Sequence, residues 1–278
     1  MTHLSFALGR RRLASLSLLV VLGASLVGPA TVGAADLPVD AATVNAEEAH
    51  LISFLNADRA ALGLVPVRVD ARLMAMARAR STDMIVNDYF SHTQPDGRNV
   101  FDILNASGIT WYGAGEIIAW NNYPMDVSAS TANHQWLDSP DHLAILTSNN
   151  YNYVGVGLAV DPVTGKKMWT AIYMKGPDRT GAQARLGTPS LGTGTRTTRR
   201  VTLRWTGSDV RLQVLTAGLR SFVLQRKVDS GVWRTILGTT NRSLILSVAK
   251  GHRTQFRVAA RDRAGNRGAW STVTVNLR

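Results

Sequence analysis

A chain of 278 residues with a formal net charge of +12 and no cysteine is longer than one typical domain and must be held without disulfides. The absence of thiols also excludes thiolate metal sites and a cysteine nucleophile. The charge is uneven. Residues 46–178 carry 9 Lys and Arg against 14 Asp and Glu, whereas residues 183–278 carry 18 against 3. An anionic partner such as a cell-envelope polymer is therefore expected to meet the basic C-terminal part.

At the N-terminus, Arg10-Arg11-Arg12 precedes the apolar stretch Leu13–Val27 and the small residues Val32-Gly33-Ala34-Ala35. This order reads as a secretory signal over residues 1–35. No later run is long enough to span a membrane. The protein is thus expected to be secreted, in solution or held at the cell surface, with no transmembrane segment once the signal is removed. Asn45-x-x-Glu48 reads as a capping box for a first helix that puts Ile52, Leu55 and Leu62 near one face and stops at Gly63. Asp70 caps a second helix with Leu73, Met76, Ala77 and Met84 inward. Tyr89-Phe90-Ser91-His92 and the turn Gln94-Pro95-Asp96-Gly97 follow. Asn99 opens a short helix closed by Gly108, and Ile109–Tyr112 reads as extended.

Glu116 lies between glycines and the apolar residues Ile117, Ile118 and Ala119. A carboxylate there is costly unless paired, which favours a buried or cleft position over a solvated turn. A fourth helix runs from Asp126 to Asp138. Ser139-Pro140 then reads as an N-cap followed by proline at the first helical position. His142 falls in the first turn of that helix, where it either faces a cleft or merely caps and packs. Tyr151–Val160 and Lys167–Lys175 read as two strands joined by a hairpin at Asp161–Gly165. Helices alternating with a few strands indicate an α+β layered domain over residues 43–178.

Residues 179–199 are rich in Gly, Thr, Ser, Pro and Arg, without an apolar period, and read as a linker. Over residues 200–278 six short strands alternate with turn signals, starting with Val201–Trp205 and ending with Val273–Leu277. That spacing predicts an all-β sandwich of about 80 residues.

Several pieces of the first domain resemble, in order, the CAP superfamily (cysteine-rich secretory proteins, antigen 5 and pathogenesis-related 1) in its cysteine-free bacterial form. They are Asn56-x-x-Arg59 with Gly63-Leu64, Asp70-x-x-Leu73, Phe90-Ser91-His92, Gly115-Glu116, Trp136-x-x-Ser139-Pro140-x-His142 and Tyr151-x-x-Val154-Gly-Val-Gly157. The resemblance implies an α-β-α sandwich with a central cleft where His92, Glu116 and His142 converge. In many family members two His and two Glu there hold a divalent metal such as zinc. Here Ser139 stands where the second glutamate is expected, and Ile117 stands where the family has Asn. Two imidazoles and one carboxylate remain as candidate ligands. The second domain resembles a fibronectin type III or immunoglobulin-like module through Trp205, the run Phe256–Asn266 and Trp270-Ser271. Thr254 replaces the usual corner tyrosine.

Three functions stay open on this reading. One is an extracellular binding module with an unknown cleft ligand. The second is a metal-assisted, protease-like hydrolase with Glu116 as ligand or base. The third is a carrier of lipid or another small apolar ligand.

Overall fold

The structure, a computed structural model, describes the backbone of residues 41–277 and the side chains of residues 44–277. The segment read as a secretory signal, residues 1–35, lies outside the described residues. Among the described residues no helix is long and apolar enough to cross a membrane.

The first part is a three-layer α-β-α sandwich. Its helices are α1 (Ala41–Ala61), α2 (Ala71–Val86), α3 (Val100–Ala106), α4 (Met125–Leu137) and α5 (Pro140–Leu146). Its strands are β1 (Arg68–Val69), β2 (Gly113–Asn121), β3 (Tyr153–Val160) and β4 (Lys167–Lys175), in spatial order β1-β3-β4-β2. β1 runs parallel to β3, and the other pairs are antiparallel. Strand residues alternate between the two faces. On β4, Trp169, Ala171 and Tyr173 enter the core shared with α1 and α4, while Ile172 and Met174 enter the core under α2 and α3. Both faces are covered, so β3 is buried at every residue, as its unbroken apolar run requires.

Two glycines set the spacing of the α2 layer. A Cβ on Gly155 would lie 2.1 Å from the Leu73 backbone, and one on Gly157 2.1 Å from the Arg78 nitrogen. Their absent side chains let α2 rest directly on β3. Asp70 caps α2 by accepting from the Arg72 N–H at 2.9 Å. Asn99 and Asp102 cap α3 reciprocally.

The first helix departs from expectation at both ends. α1 begins at Ala41, so Asn45 and Glu48 are inside it and form no capping box. Glu48 is fully buried instead. It accepts from Arg78 Nε at 2.9 Å and from the Leu158 N–H at 3.1 Å. A charged partner across the core outweighed the local cap. Leu62 is exposed because α1 ends one residue before it.

The second part contains two antiparallel sheets facing one apolar core. β5 (Gln183–Leu186), β6 (Ser190–Gly194), β7 (Thr198–Ser208) and β10 (Ser243–Ala249) form one. β8 (Leu219–Val228), β9 (Arg234–Thr239), β11 (Arg253–Asp262) and β12 (Ser271–Asn276) form the other. Val201, Leu203 and Trp205 from the first sheet meet Phe222, Leu224, Phe256 and Val258 from the second. The stretch read as a linker, 179–199, is corrected in part: residues 183–186 and 190–194 are strands paired with β7. In residues 190–194 the side chains are mostly exposed and backbone pairing holds them, whereas Ala184 and Leu186 of β5 pack into the core and alternate with exposed polar residues.

The two parts are packed together. Leu212, in the loop between β7 and β8, is 2 % exposed and joins the core of Leu73, Tyr153 and Met174. The Val65 N–H donates to Gln213 Oε1 at 2.6 Å, and Asn152 Nδ2 donates to the Val214 carbonyl at 3.2 Å.

Candidate functional site

β2 is an edge strand, and the residues singled out as a metal set gather along it. Glu116 sits on its α2 side. One helical face of α2 carries Leu73, Ala77, Arg80 and Met84, all buried, so Arg80 points at the sheet. Arg80 Nε donates to Glu116 Oε2 at 3.0 Å and Nη2 to Oε1 at 3.3 Å. The remaining guanidinium hydrogens reach the Tyr89 hydroxyl at 2.6 Å and the Ser91 carbonyl at 2.8 Å. The pair is sealed: the side chains of Arg80 and Glu116 are 1 % and 2 % exposed. Burial alone lowers the Arg80 pKa, but bonds to Glu116 outweigh it and raise the value. Arg80 is thus a fixed positive charge.

The pair is backed by a polar cluster. Tyr89 donates its hydroxyl hydrogen to Asp83, which also accepts from Gln94 Nε2 at 2.9 Å and Asn87 Nδ2 at 2.8 Å. Burial and the Asp83 bond push the Tyr89 hydroxyl up to about 12, so it stays a donor. Burial would raise Asp83, yet its donors Tyr89, Gln94 and Asn87 and the Arg80 charge bring it below the ordinary carboxylate value.

His92, which is exposed, and His142, which is half-buried, form the outer side of the site. His92 Nδ1 is 2.9 Å from Glu116 Oε1. The His142 ring centre is 6.4 Å from that of His92, tilted by 54°. Burial first, and the neighbouring His92 second, push the His142 pKa down, with Asp141 opposing. His142 is therefore favoured as neutral imidazole. Its Nδ1 is buried without a partner. α5, which carries it, is tied down at its C-terminal end by the fully buried Arg59. Arg59 Nη1 donates to the carbonyls of Leu146 and Ser148 at 2.9 and 2.8 Å. That places a cation where the helix leaves carbonyls unpaired. Ser139 holds the N-cap position, but its hydroxyl makes no capping bond and instead borders a pocket beside His142.

Whether these residues fit a divalent metal turns on Glu116. Both its oxygens already accept hydrogen bonds, from Arg80 and from the His92 side. A dication ligated there would sit beside the guanidinium charge, a repulsion on the order of 5 kcal/mol at an effective dielectric near 20. Among the described residues, the three side chains whose ligand atoms lie within 4.8 Å of one another are Asp178, Asp209 and Asp262, not the cleft residues. The donor set of His92, Glu116 and His142 does not fit a metal centre. Arg80 is the residue that sequence reasoning missed. Its signal was present: it lies three residues after Ala77 and four before Met84, on the inward face.

The layered fold and this two-histidine edge resemble those of CAP domains. Residues 52–173 match the model of the Cysteine-rich secretory protein family, CAP. The protein YkwD of Bacillus subtilis is 32% identical over 133 residues, 48% of each chain. The membrane protein YlbC of the same organism is 31% identical over 128 residues, 46% of this chain and 34% of its own. The chain thus spans about half or less of the length of these curated relatives. An extracellular protein of Bacillus anthracis containing an SCP domain aligns with 26% identity and a TM-score of 0.42, over 47% of this chain and 41% of its own. An outer surface protein of Borrelia burgdorferi aligns with 17% identity and a TM-score of 0.43, over 48% of this chain and 94% of its own.

Proposed function

We propose that this protein is an extracellular binding module whose CAP cleft recognises a ligand without metal chemistry. The observation that carries this reading is the Arg80–Glu116 pair. A hydrolase needs Glu116 as a metal ligand or as a base. A carboxylate holding a buried guanidinium through two hydrogen bonds is poor at either task, since each proton or metal it takes must displace Arg80. The apolar and aromatic pocket beside His142 suits recognition instead. The basic β-rich part, with 18 Lys and Arg in residues 183–278, is proposed to hold the module on an anionic envelope polymer.

The test is calorimetry of the full chain with Zn²⁺, beside hydrolysis of fluorescent casein. The reading expects no heat that depends on His92 and His142, and no hydrolysis above that of a His92→Ala, His142→Ala variant. A one-to-one Zn²⁺ isotherm lost in that variant, or histidine-dependent cleavage, would overturn it.

A further inference from the structure

Next to His142 the structure opens a pocket of ≈ 460 Å³ between β2, the β2–α4 loop, α4 and the start of α5. That volume is typical of small-molecule sites. None of the residues lining it is Asp, Glu, Lys or Arg. Its rim carries three aromatic rings that are unusually open to solvent: Phe90 at 46 %, Trp120 at 43 % and Tyr123 at 57 %. Between them stand the exposed amides of Asn122 and Gln135. Gln135 Nε2 donates to the Trp120 carbonyl at 3.2 Å, which fixes the amide beside that ring. Lys166 Nζ, 5.0 Å from the Trp120 ring centre, steadies the indole from outside the lining.

We propose that this pocket binds a neutral, N-acylated saccharide, a deepening that rests on the binding reading above. Each part of the lining matches that chemistry. An uncharged wall asks for an uncharged ligand, because an ionised one entering it would lose water without gaining a counter-charge. Flat aromatic faces open to solvent match the C–H faces of a pyranose ring, which a chain-like lipid lacks. Side-chain amides offer both donors and acceptors, as hydroxyl and acetamide groups require. His142 borders the pocket, and its ring adds a further group able to hydrogen-bond. Lipid would instead favour an enclosed apolar tunnel, and here the apolar surface is a rim.

The experiment is isothermal titration of the full chain with tri-N-acetylchitotriose, with cellotriose and palmitate as separate arms. Saturable heat is expected with chitotriose, and binding at least about tenfold weaker with cellotriose, which lacks the acetamide. Trp120→Ala and Tyr123→Ala, both at exposed rings, should each weaken chitotriose by about tenfold without lowering the melting temperature. No saturable heat with chitotriose, equal affinity for cellotriose, or unchanged affinity in both variants would overturn the proposal. So would palmitate binding that the same two substitutions abolish. Histidine-dependent Zn²⁺ heat sinks only the metal-free reading, since the saccharide isotherm is read on metal-free protein.

Discussion

Arg80 and Glu116, 36 residues apart, close on each other across the α2–β2 contact as a sealed ion pair with Nε to Oε2 at 3.0 Å. Removing one member leaves the other charged and buried, which costs about 3–5 kcal/mol, whereas replacing both by apolar side chains is often near neutral. Arg80→Met should therefore lower the urea unfolding free energy by about 3 kcal/mol or more. The double variant Arg80→Met, Glu116→Leu should recover at least half of that loss. A smaller single effect, or no recovery, would show that the pair is not what holds this edge.

Gly157, like Gly155, is a tight contact between helix and sheet that a substitution can probe. Gly157→Ala forces a methyl against the α2 backbone, 2.1 Å from the Arg78 nitrogen, which no rotamer relieves. A loss of about 3 kcal/mol or more is expected, at the upper end of overpacking effects. Gly238→Ala is the control, since a Cβ there meets nothing within 4 Å. Its unfolding free energy should stay within the range of ordinary surface changes, about ±0.5 kcal/mol.

Asp70 gives a pH dependence with a defined sign. Burial would raise its pKa, but Arg72 donates to it at 3.0 and 2.5 Å and Arg179 adds its charge, so the value falls below 3.8. A carboxyl held lower in the fold than in the unfolded chain binds fewer protons when folded. Its contribution is complete above 3.8 and disappears as pH drops through the lower folded value. Asp70→Ala should cost about 1–2 kcal/mol at pH 7 through the lost cap. The gap between variant and parent should narrow below pH 3.8, measured by thermal melts across acid buffers.

The basic part should bind polyanions by simple charge attraction. With the full chain and long-chain polyphosphate as probe, affinity should fall steeply between low and physiological salt. Arg204→Glu with Arg226→Glu, both at exposed positions, should weaken binding and flatten the salt slope. Salt-insensitive binding would show that charge is not the anchor.

Much of the fold was legible because it rests on local chemistry. The caps at Asp70 and Asn99, the hairpin closed by Gly165 at φ 70 and the buried run of β3 all follow from side-chain type and spacing. What stayed hidden was pairing between distant residues. Glu48 reads as a cap until Arg78 is placed against it. Arg80 belongs to no motif in the sequence, and its role shows only once Glu116 faces it. Arg257, one of the arginines behind the basic charge, lies against the rings of Trp233 and Trp270 at 4.2 and 4.3 Å from their centres. The strand at 190–194 carries few apolar residues and is revealed by its backbone bonds to β7.

Leu212 turns the loop before β8 into a peg set in the core under α2. A peg of that kind removes the hinge that a flexible tether would have provided. The basic sheets and the cleft then approach any extended polymer at one fixed angle. A polymer strand caught by the arginines is presented to the cleft at high effective concentration when its path matches that angle, and not at all when it does not. On the proposed binding reading, weak contacts at the two places would act as a ruler that selects polymers by geometry as well as by charge.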